Sequence, residues 1–269
     1  MIVVGERVNA TGKKVKKAIE SKDAGFLSGL IKAQDEAGAD YIDLNVGTGG
    51  GSGEAEIGNM RWLIDLALEA TGKDLCIDSA DPEVIRAAAG HLGGRRGWML
   101  NSINGKQESL EAMLPVIEEY RPPFVALAMD DNGIAKDVGG RMSVCEKLFA
   151  EVQRRDIDPG LVYFDPLVLP LVTDVTQAQV TCEGIRQIRE SFPGAKTIVG
   201  LSNISHSLPG RELVNRGFLI TAMMNGLDAA IIDPTRQQMR EALAVGAALS
   251  GRDRHCRRYT RAYRKGQLG

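Results

Sequence analysis

Several features that would place a chain in a specialised class are missing from this sequence. No apolar run approaches the roughly 18 residues that span a bilayer, and Glu6 and Arg7 interrupt the apolar start at once. The chain has four isolated cysteines, Cys76, Cys145, Cys182 and Cys256. No pair has the spacing of a zinc or redox motif. We therefore expect reduced thiols in a cytoplasmic protein that is neither secreted nor inserted in a membrane.

Nucleotide-binding glycine motifs and a large net charge are also missing. Neither G-x-G-x-x-G nor G-x-x-x-x-G-K-[ST] occurs. The 33 Lys and Arg residues nearly balance the 35 Asp and Glu residues, giving a net charge of -2. No overall field therefore attracts nucleic acid or an anionic membrane. The charge is uneven, because residues 251–269 hold seven basic residues and one acidic residue. This tail either is a solvated end or docks a partner.

The remaining sequence predicts a barrel of alternating strands and helices. Eight short runs rich in Val, Ile and Leu are each followed by helical spacing: Ile2–Val8, Tyr41–Val46, Leu75–Ser79, Trp98–Ile103, Phe124–Met129, Val162–Leu167, Thr197–Leu201 and Ala229–Asp233. Most lack strict alternation, as expected for parallel strands buried on both faces. Apolar residues on one face predict helices at Ile57–Ala70 and Gln237–Leu249. We predict an α/β fold, a (β/α)₈ TIM barrel over residues 1–250 with a basic tail at 251–269.

Polar residues follow most of the predicted strands, where the active site of such a barrel lies. The set consists of Glu6, Asn9, Asp43, Asn45, Asp78, Asn101, Asn104, Asp130, Asp165, Ser202, Asn203 and Asp233. Carboxylates and amides predominate, and cations are scarce. Each residue alone could cap a helix, but together they favour a polar ligand. A flat heterocycle with amino and ring N–H donors fits, because a carboxylate accepts two parallel hydrogen bonds from such an edge.

Seven short motifs occur in order at the predicted strand ends: G-E-R-V-N (5–9), D-L-N-V-G (43–47), C-I-D-S (76–79), L-N-S-I-N (100–104), F-D-P-L-V-L-P (164–170), G-L-S-N-I-S (200–205) and G-L-D-A-A-I (226–231). Over residues 1 to about 245 the sequence resembles the methyltetrahydrofolate:corrinoid protein methyltransferases, a branch of the pterin-binding TIM barrels. The resemblance implies transfer of a methyl group between N5 of methyltetrahydrofolate and the cobalt of a corrinoid. Tetrahydrofolate or 5-methyltetrahydrofolate is then a substrate, and a partner corrinoid protein carries the corrinoid (cobalamin).

The resemblance also implies roles for individual residues. Asp78, Asn101 and Asp165 would hold the amino and N3 groups of the pterin. The remaining expected pterin or folate contacts are Glu6, Asp43, Asn45, Gly200, Ser202, His206 and Arg211. Arg211 could meet either the pterin carbonyl or the acidic glutamyl tail of folate. The chain itself needs no bound metal, and a homodimer is expected from the family.

Asn203 is the predicted catalytic residue, in the G-L-S-N motif. Methyl transfer from N5 requires that N5 gain positive character. An amide can donate through its NH₂ group to a bare N5 and, turned over, accept from a protonated N5. The alternative is that Asn203 caps the helix that follows.

The glycine-rich segment Gly47–Gly58 follows the second predicted strand. Its composition predicts that it is not a fixed helix. It is either a lid that makes room for a corrinoid domain or a tolerated loop.

Two rival functions stay open from the sequence. A dihydropteroate synthase shares the barrel but needs groups for a diphosphate, and the expected Ser-Thr-Arg-Pro pattern and paired basic residues after Asp233 are missing. A non-catalytic folate-binding scaffold for a corrinoid protein would not need Asn203. The site by itself does not choose the direction of methyl transfer, which includes methylcorrinoid to tetrahydrofolate in an O- or N-demethylase system.

Overall fold

The computed structural model describes residues 1–47, 53–95 and 97–269. In chain order the strands are β1 (Ile2–Asn9), β2 (Tyr41–Asn45), β3 (Asp74–Asp78), β4 (Trp98–Asn104), β5 (Phe124–Leu127), β6 (Met129–Asp130), β7 (Gly133–Ile134), β8 (Val162–Asp165), β9 (Lys196–Gly200) and β10 (Ala229–Ile232). The helices are α1 (Lys13–Glu20), α2 (Ala24–Glu36), α3 (Gly53–Ala70), α4 (Pro82–Leu92), α5 (Gln107–Tyr120), α6 (Val138–Arg154), α7 (Gln177–Ser191), α8 (Arg211–Met224), α9 (Gln237–Leu249) and α10 (Arg257–Arg264).

Eight of these strands form one closed parallel barrel, in the order β1-β10-β9-β8-β5-β4-β3-β2. The predicted (β/α)₈ barrel is confirmed, and every predicted strand is present. Six of the strands end earlier than predicted, four of them by one residue and two, β5 and β8, by two residues. β5 stops at Leu127 because the chain then forms the β6–β7 hairpin. β8 stops at Asp165 because Pro166, which follows, has no N–H group to donate to a neighbouring strand.

The barrel interior is filled by side chains from the strands themselves. Seven buried residues form this cluster: Val4, Cys76, Met99, Val125, Tyr163, Ile198 and Ala229. Each comes from a different strand, which is how the centre of such a barrel is packed. Larger apolar clusters join the outer face of the strands to the helices. Side chains thus fill the centre of the barrel in the described part of the chain, and the polar residues at the strand ends lie above this filled centre.

Helix α9 has the predicted bounds, and its Gly246 allows close packing. A Cβ atom at this position would lie 2.5 Å from Sδ of Met223 on α8, so a larger residue would displace the Met223 side chain. Helix α3 begins at Gly53, earlier than predicted. None of the helices in the described ranges is both long and apolar enough to cross a membrane.

The prediction that Gly47–Gly58 is not a fixed helix is wrong for the second half of the segment. Residues 53–58 are the start of α3, whose first turn carries Glu54 and Glu56. Acidic side chains there favour a helix, because they face the partial positive charge of its N-terminus. The first half of the predicted lid, residues 48–52, lies outside the described residues.

The basic tail is folded onto the barrel. Nη1 of Arg252 donates to the Leu227 carbonyl at 2.5 Å. The Asp253 carboxylate is buried and accepts from the backbone N–H groups of Arg258 and Tyr259 at 3.0 and 2.8 Å. These bonds start α10, whose arginine side chains are nevertheless exposed.

Candidate functional site in the barrel mouth

The register of the barrel places four polar residues side by side at the C-terminal ends of successive strands. Asn9 of β1 pairs with Asn45 of β2, Asn45 with Asp78 of β3, and Asp78 with Asn101 of β4. Nδ2 of Asn45 donates to Oδ2 of Asp78 at 2.9 Å. The polar residues predicted from the strand ends therefore meet at one level.

A cavity of about 530 Å³ opens at this level, and we call it the mouth cavity. Its lining consists of Glu6, Arg7, Asn9, Thr11, Gly12, Val15, Asp43, Asp78, Gly200, Ser202, Asn203, Ile231 and Asp233. Six predicted site residues are among them. No cluster of three His, Cys, Asp or Glu residues suited to a metal ion occurs in the described part of the chain.

Asp43 is a buried carboxyl group of the mouth cavity that still has hydrogen-bonding capacity. The residue is only 1% exposed, and its Oδ1 atom has no hydrogen-bond partner. Burial raises its pKa well above the usual value, and the neighbouring charge of Asp78 raises it further. The pKa of Asp78 is also raised by burial, although the hydrogen bond from Asn45 opposes the shift. A ligand that brings N–H donors to these carboxyl groups would relieve the cost of burying them.

Asn101 and Asp165 are buried polar residues that do not line the mouth cavity directly. Asn101 adjoins Asp78 on the next strand and hydrogen-bonds to the Asp43 side chain. Oδ1 of Asp165 accepts from the backbone N–H of Leu167 at 2.7 Å. Burial raises the pKa of Asp165 to about 7. Their predicted contact with a pterin stays a prediction.

Asn203 lies in a short 3₁₀ turn, Leu201–Ser205, directly after β9. Its side chain is exposed to the mouth cavity. A Cβ atom on Gly200 would lie 3.1 Å from Nδ2 of Asn203, so the glycine leaves room for the amide. The residue at the N-cap of α8 is Gly210, not Asn203. The structure therefore contradicts the helix-cap alternative and leaves the amide available to a ligand.

Glu6 and Ser202 join β1 to the turn that carries Asn203. Oγ of Ser202 donates to Oε2 of Glu6 at 3.0 Å. Burial raises the pKa of Glu6 to about 7, and the nearby charge of Asp233 also raises it, while the Ser202 hydrogen bond and Arg211 lower it. Glu6 therefore changes its protonation state near neutral pH.

We expect Glu6→Gln to make the free protein more stable at pH 8 than the unchanged protein. The raised folded-state pKa means that the native state holds the Glu6 proton between about pH 4.5 and 7, where the unfolded chain has released it. The contribution of the Glu6 carboxyl group to the free energy of unfolding is fully present below the pKa of the unfolded chain, and it is lost as the pH rises through 7. The gain at pH 8 should be on the order of 2–3 kcal/mol. Urea unfolding at pH 5.5 and pH 8 measures it, with the surface variant Glu69→Gln as control. An equal pH slope in Glu6→Gln and the unchanged protein would contradict the prediction.

Arg211 and His206 do not line the mouth cavity, and their predicted contacts with the substrate stay predictions. Nη2 of Arg211 donates to the Ser202 carbonyl at 2.7 Å, and its Nε donates to Oγ of Ser205 at 3.0 Å. The guanidinium thus holds the turn on both sides of Asn203, and it lines a second cavity of about 300 Å³ beside the mouth cavity. His206 ends the turn, is exposed and does not line the mouth cavity.

We expect Arg211→Ala to lower kcat of the methyl transfer predicted from the sequence by roughly ten- to a hundredfold, with little change in KM. Without the guanidinium the turn that carries Asn203 would shift, and its amide would lose alignment with the substrate. Added guanidinium ion should restore part of the rate. Arg211→Lys should recover less than full activity, since an ammonium group cannot bridge both acceptors as the planar fork does. The surface variant Arg86→Ala serves as control. A large rise in KM at constant kcat would instead show direct contact with the substrate.

More cations lie near the mouth than the sequence pattern predicts. Arg7 lies 3.8 Å from Asp233 and donates to Oγ1 of Thr235 at 2.9 Å. Arg236 lies 3.5 Å from Asp233. Arg7 directly follows Glu6 in β1, so its place in the sequence could have predicted a cation at the mouth. Arg236 could not be predicted in this way, because the loop after β10 brings it to Asp233. Asp233 itself accepts from the Thr235 N–H and hydroxyl groups, which gives it a role in that loop.

Comparison with known proteins gives the fold and the site a family context. Residues 5–233 match the family described as "Pterin binding enzyme". The methylcorrinoid:tetrahydrofolate methyltransferase of Eubacterium limosum is 36% identical over 271 aligned positions, covering 100% of this chain and 98% of that protein. The methionine synthase of Mycobacterium tuberculosis is 28% identical over 249 positions, covering 88% of this chain but only 20% of the synthase.

Solved structures of dihydropteroate synthase share the fold. The Xanthomonas albilineans enzyme superposes with a TM-score of 0.67 at 21% identity, covering 92% of this chain and 91% of that one. At this identity the likeness shows the barrel alone. The family match and the full-length relative go further and confirm the resemblance found in the motifs. This chain belongs to the pterin-binding enzyme family.

Proposed function

We propose that this chain is a methyltransferase that moves a methyl group between N5 of tetrahydrofolate and the cobalt of a corrinoid carried by a partner protein. The observation that carries the proposal is the mouth cavity, which combines the carboxyl groups of buried Asp43 and half-buried Asp78 with the exposed amide of Asn203. The two carboxyl groups suit the N–H edge of a pterin, and the amide suits a nitrogen whose charge changes during the reaction.

Each side chain of the site has its own role in the proposed reaction. Asp78, supported by Asn45 and Asn101, accepts hydrogen bonds from the amino and N3 groups of the pterin. Asn203 donates to N5 when it is bare and accepts from N5 when it is protonated. Glu6 and Arg211 hold the turn of Asn203 in place through Ser202 and Ser205. This supplies the positioning and electrostatic parts of catalysis, while the corrinoid supplies the methyl donor or acceptor.

The full-length relative supports tetrahydrofolate as the methyl acceptor, because its name states transfer from a methylcorrinoid to tetrahydrofolate. We infer the same physiological direction for this chain, within an O- or N-demethylase system. The reverse reaction uses the same side chains, so the isolated enzyme should run both ways.

We also infer that the protein is cytoplasmic and forms a homodimer. Light scattering of the purified protein would test the dimer.

The visible spectrum of the corrinoid tests the proposal directly. Purified protein mixed with methylcobalamin and tetrahydrofolate should convert methylcobalt to reduced cobalamin, and methyltetrahydrofolate with reduced cobalamin should reverse the change. A cognate corrinoid protein, obtained from the source genome's neighbouring reading frames, should be used in parallel. Folate binding without conversion of either corrinoid would favour the scaffold function. Formation of dihydropteroate from a pterin diphosphate and aminobenzoate would instead favour the synthase.

A further inference from the structure

Glu6 lies in an irregular part of β1. The pairing register of β1 with β2 shifts between Gly5 and Val8. Irregularities of this kind re-aim side chains and are common beside active sites. Oε1 of Gln34 on α2 accepts from the backbone N–H of Arg7 at 2.9 Å, so the helix holds the chain in this path.

The Glu6 side chain lines two cavities. It lines the mouth cavity together with Asn203, and the second cavity together with Arg236 and Gln238. Arg236 and Gln238 are exposed, so the second cavity is open to solvent. Glu6 is therefore placed to exchange a proton with a ligand on one side and with solvent on the other.

Four carboxyl groups are among the described residues that line the mouth cavity, and a bound pterin would leave Glu6 available. Asp43 and Asp78 would accept hydrogen bonds from the N–H edge of the pterin. Asp233 accepts from the N–H and hydroxyl groups of Thr235 and lies within ion-pair distance of two arginines. By this comparison Glu6 is the carboxyl group that can take part in proton transfer.

Ser202 links Glu6 to the turn of Asn203. Its hydroxyl group donates to Oε2 of Glu6 at 3.0 Å, and Asn203 is the next residue along the chain. A hydroxyl group both donates and accepts hydrogen bonds, so it can pass a proton on.

The charges that face Glu6 come from three neighbouring parts of the barrel. Burial raises the pKa of Glu6 to about 7, the Ser202 hydrogen bond lowers it, Asp233 after β10 raises it and Arg211 of α8 lowers it. The Glu6 charge in turn raises the pKa of Asp43 on β2. A general acid or base works best when its pKa lies near the pH of the reaction, so this environment suits proton transfer at neutral pH.

We propose that Glu6 takes the proton from N5 when tetrahydrofolate is methylated and returns it in the reverse reaction. This inference rests on the proposed function. The N5 lone pair forms the new N–C bond, and cobalt keeps the electron pair of the broken Co–C bond. The proton that N5 held passes through the Ser202 hydroxyl to the ionised carboxylate of Glu6. In the reverse reaction the protonated carboxyl group supplies this proton to N5 as the methyl group leaves.

The pH dependence of single-turnover methyl transfer, with free cobalamin as the corrinoid, tests the proposal. In the unchanged protein the rate constant for methylation of tetrahydrofolate should rise about tenfold per pH unit up to about 7 and then level off. The reverse rate constant should be level below pH 7 and fall about tenfold per unit above it. Glu6→Gln should lower both rate constants by about 10²-fold and remove the break near pH 7. The dissociation constant of methyltetrahydrofolate should stay within a few-fold.

Three further measurements separate proton transfer from positioning. Glutamine keeps an acceptor oxygen for Ser202, so Glu6→Gln leaves the turn in place. Ser202→Ala should lower the rate constants but keep the break, moved to higher pH because the lost hydrogen bond lowers the pKa of Glu6. Glu69→Gln on the surface is the matched control and should behave as the unchanged protein. Carbon-13 NMR of free protein labelled at glutamate Cδ should show a carboxyl group that titrates near pH 7 and is missing in Glu6→Gln.

The outcomes separate this inference from the proposed function. A break near pH 7 that persists in Glu6→Gln, or rate constants of Glu6→Gln equal to those of the unchanged protein, would overturn the inference alone. If the unchanged protein transfers no methyl group with free cobalamin or with the cognate corrinoid protein, the proposed function is refuted, and this inference with it.

Discussion

Asn203→Ala should lower the rate of methyl transfer by about 10²–10⁴-fold while the protein still binds methyltetrahydrofolate. The amide is exposed to the mouth cavity, and Gly200 leaves space for it, so the variant creates no packing defect. In the proposed mechanism the variant removes the amide that hydrogen-bonds to N5 as the charge on N5 changes. Because that charge develops in the transition state, the loss should fall on kcat rather than on binding.

Single-turnover spectroscopy of methyl transfer in both directions would measure the rate constant, and titration with methyltetrahydrofolate would measure binding. Asn225→Ala is a suitable control. The Asn225 side chain lies at the end of α8, where it donates to the Thr221 carbonyl. A rate constant for Asn203→Ala within a few-fold of the unchanged protein would remove this residue from the mechanism.

Asp78→Asn should weaken methyltetrahydrofolate binding by about 10²–10⁴-fold, with a smaller effect on the rate constant at saturating folate. An ionised carboxylate accepts two hydrogen bonds from the pterin edge, each worth about 1.5–3 kcal/mol when charge-assisted. The amide of asparagine would turn one acceptor into a donor, which opposes a donor of the pterin. The size of the side chain is unchanged, so the barrel should remain folded.

Calorimetric titration would measure the affinity, and circular dichroism would check the fold. Asp131→Asn is a matched control, because it makes the same change in the exposed segment between β6 and β7. Unaltered affinity in Asp78→Asn would show that the pterin does not bind at this carboxyl group, and the placement of the whole ligand would have to change.

Much of this architecture could be read from the chain. Apolar runs of Val, Ile and Leu located all eight barrel strands, because a parallel strand buried on both faces needs them. Asp43, Asp78 and Asn203 were found because each lies at or near a strand end, and such a barrel gathers its strand ends at one mouth. Family resemblance added the chemistry of the ligand.

Other features depended on contacts between distant parts of the chain. The register that aligns Asn45, Asp78 and Asn101 is fixed by hydrogen bonds between strands, which no single segment specifies. The start of α3 at Gly53 was missed because glycine content outweighed Glu54 and Glu56 in the sequence pattern.

The sequence by itself thus determined the barrel, its strand order in the chain and the carboxylates and amide of its mouth, because these follow from local composition and from where strands end. Tertiary structure decided which charged groups are free. Arg211 and Arg236 are engaged by neighbouring segments, while Lys13 and Lys14 form no ion pair in the described part of the chain. Whether a charge is engaged depends on distances across the folded chain, and a sequence does not state those distances.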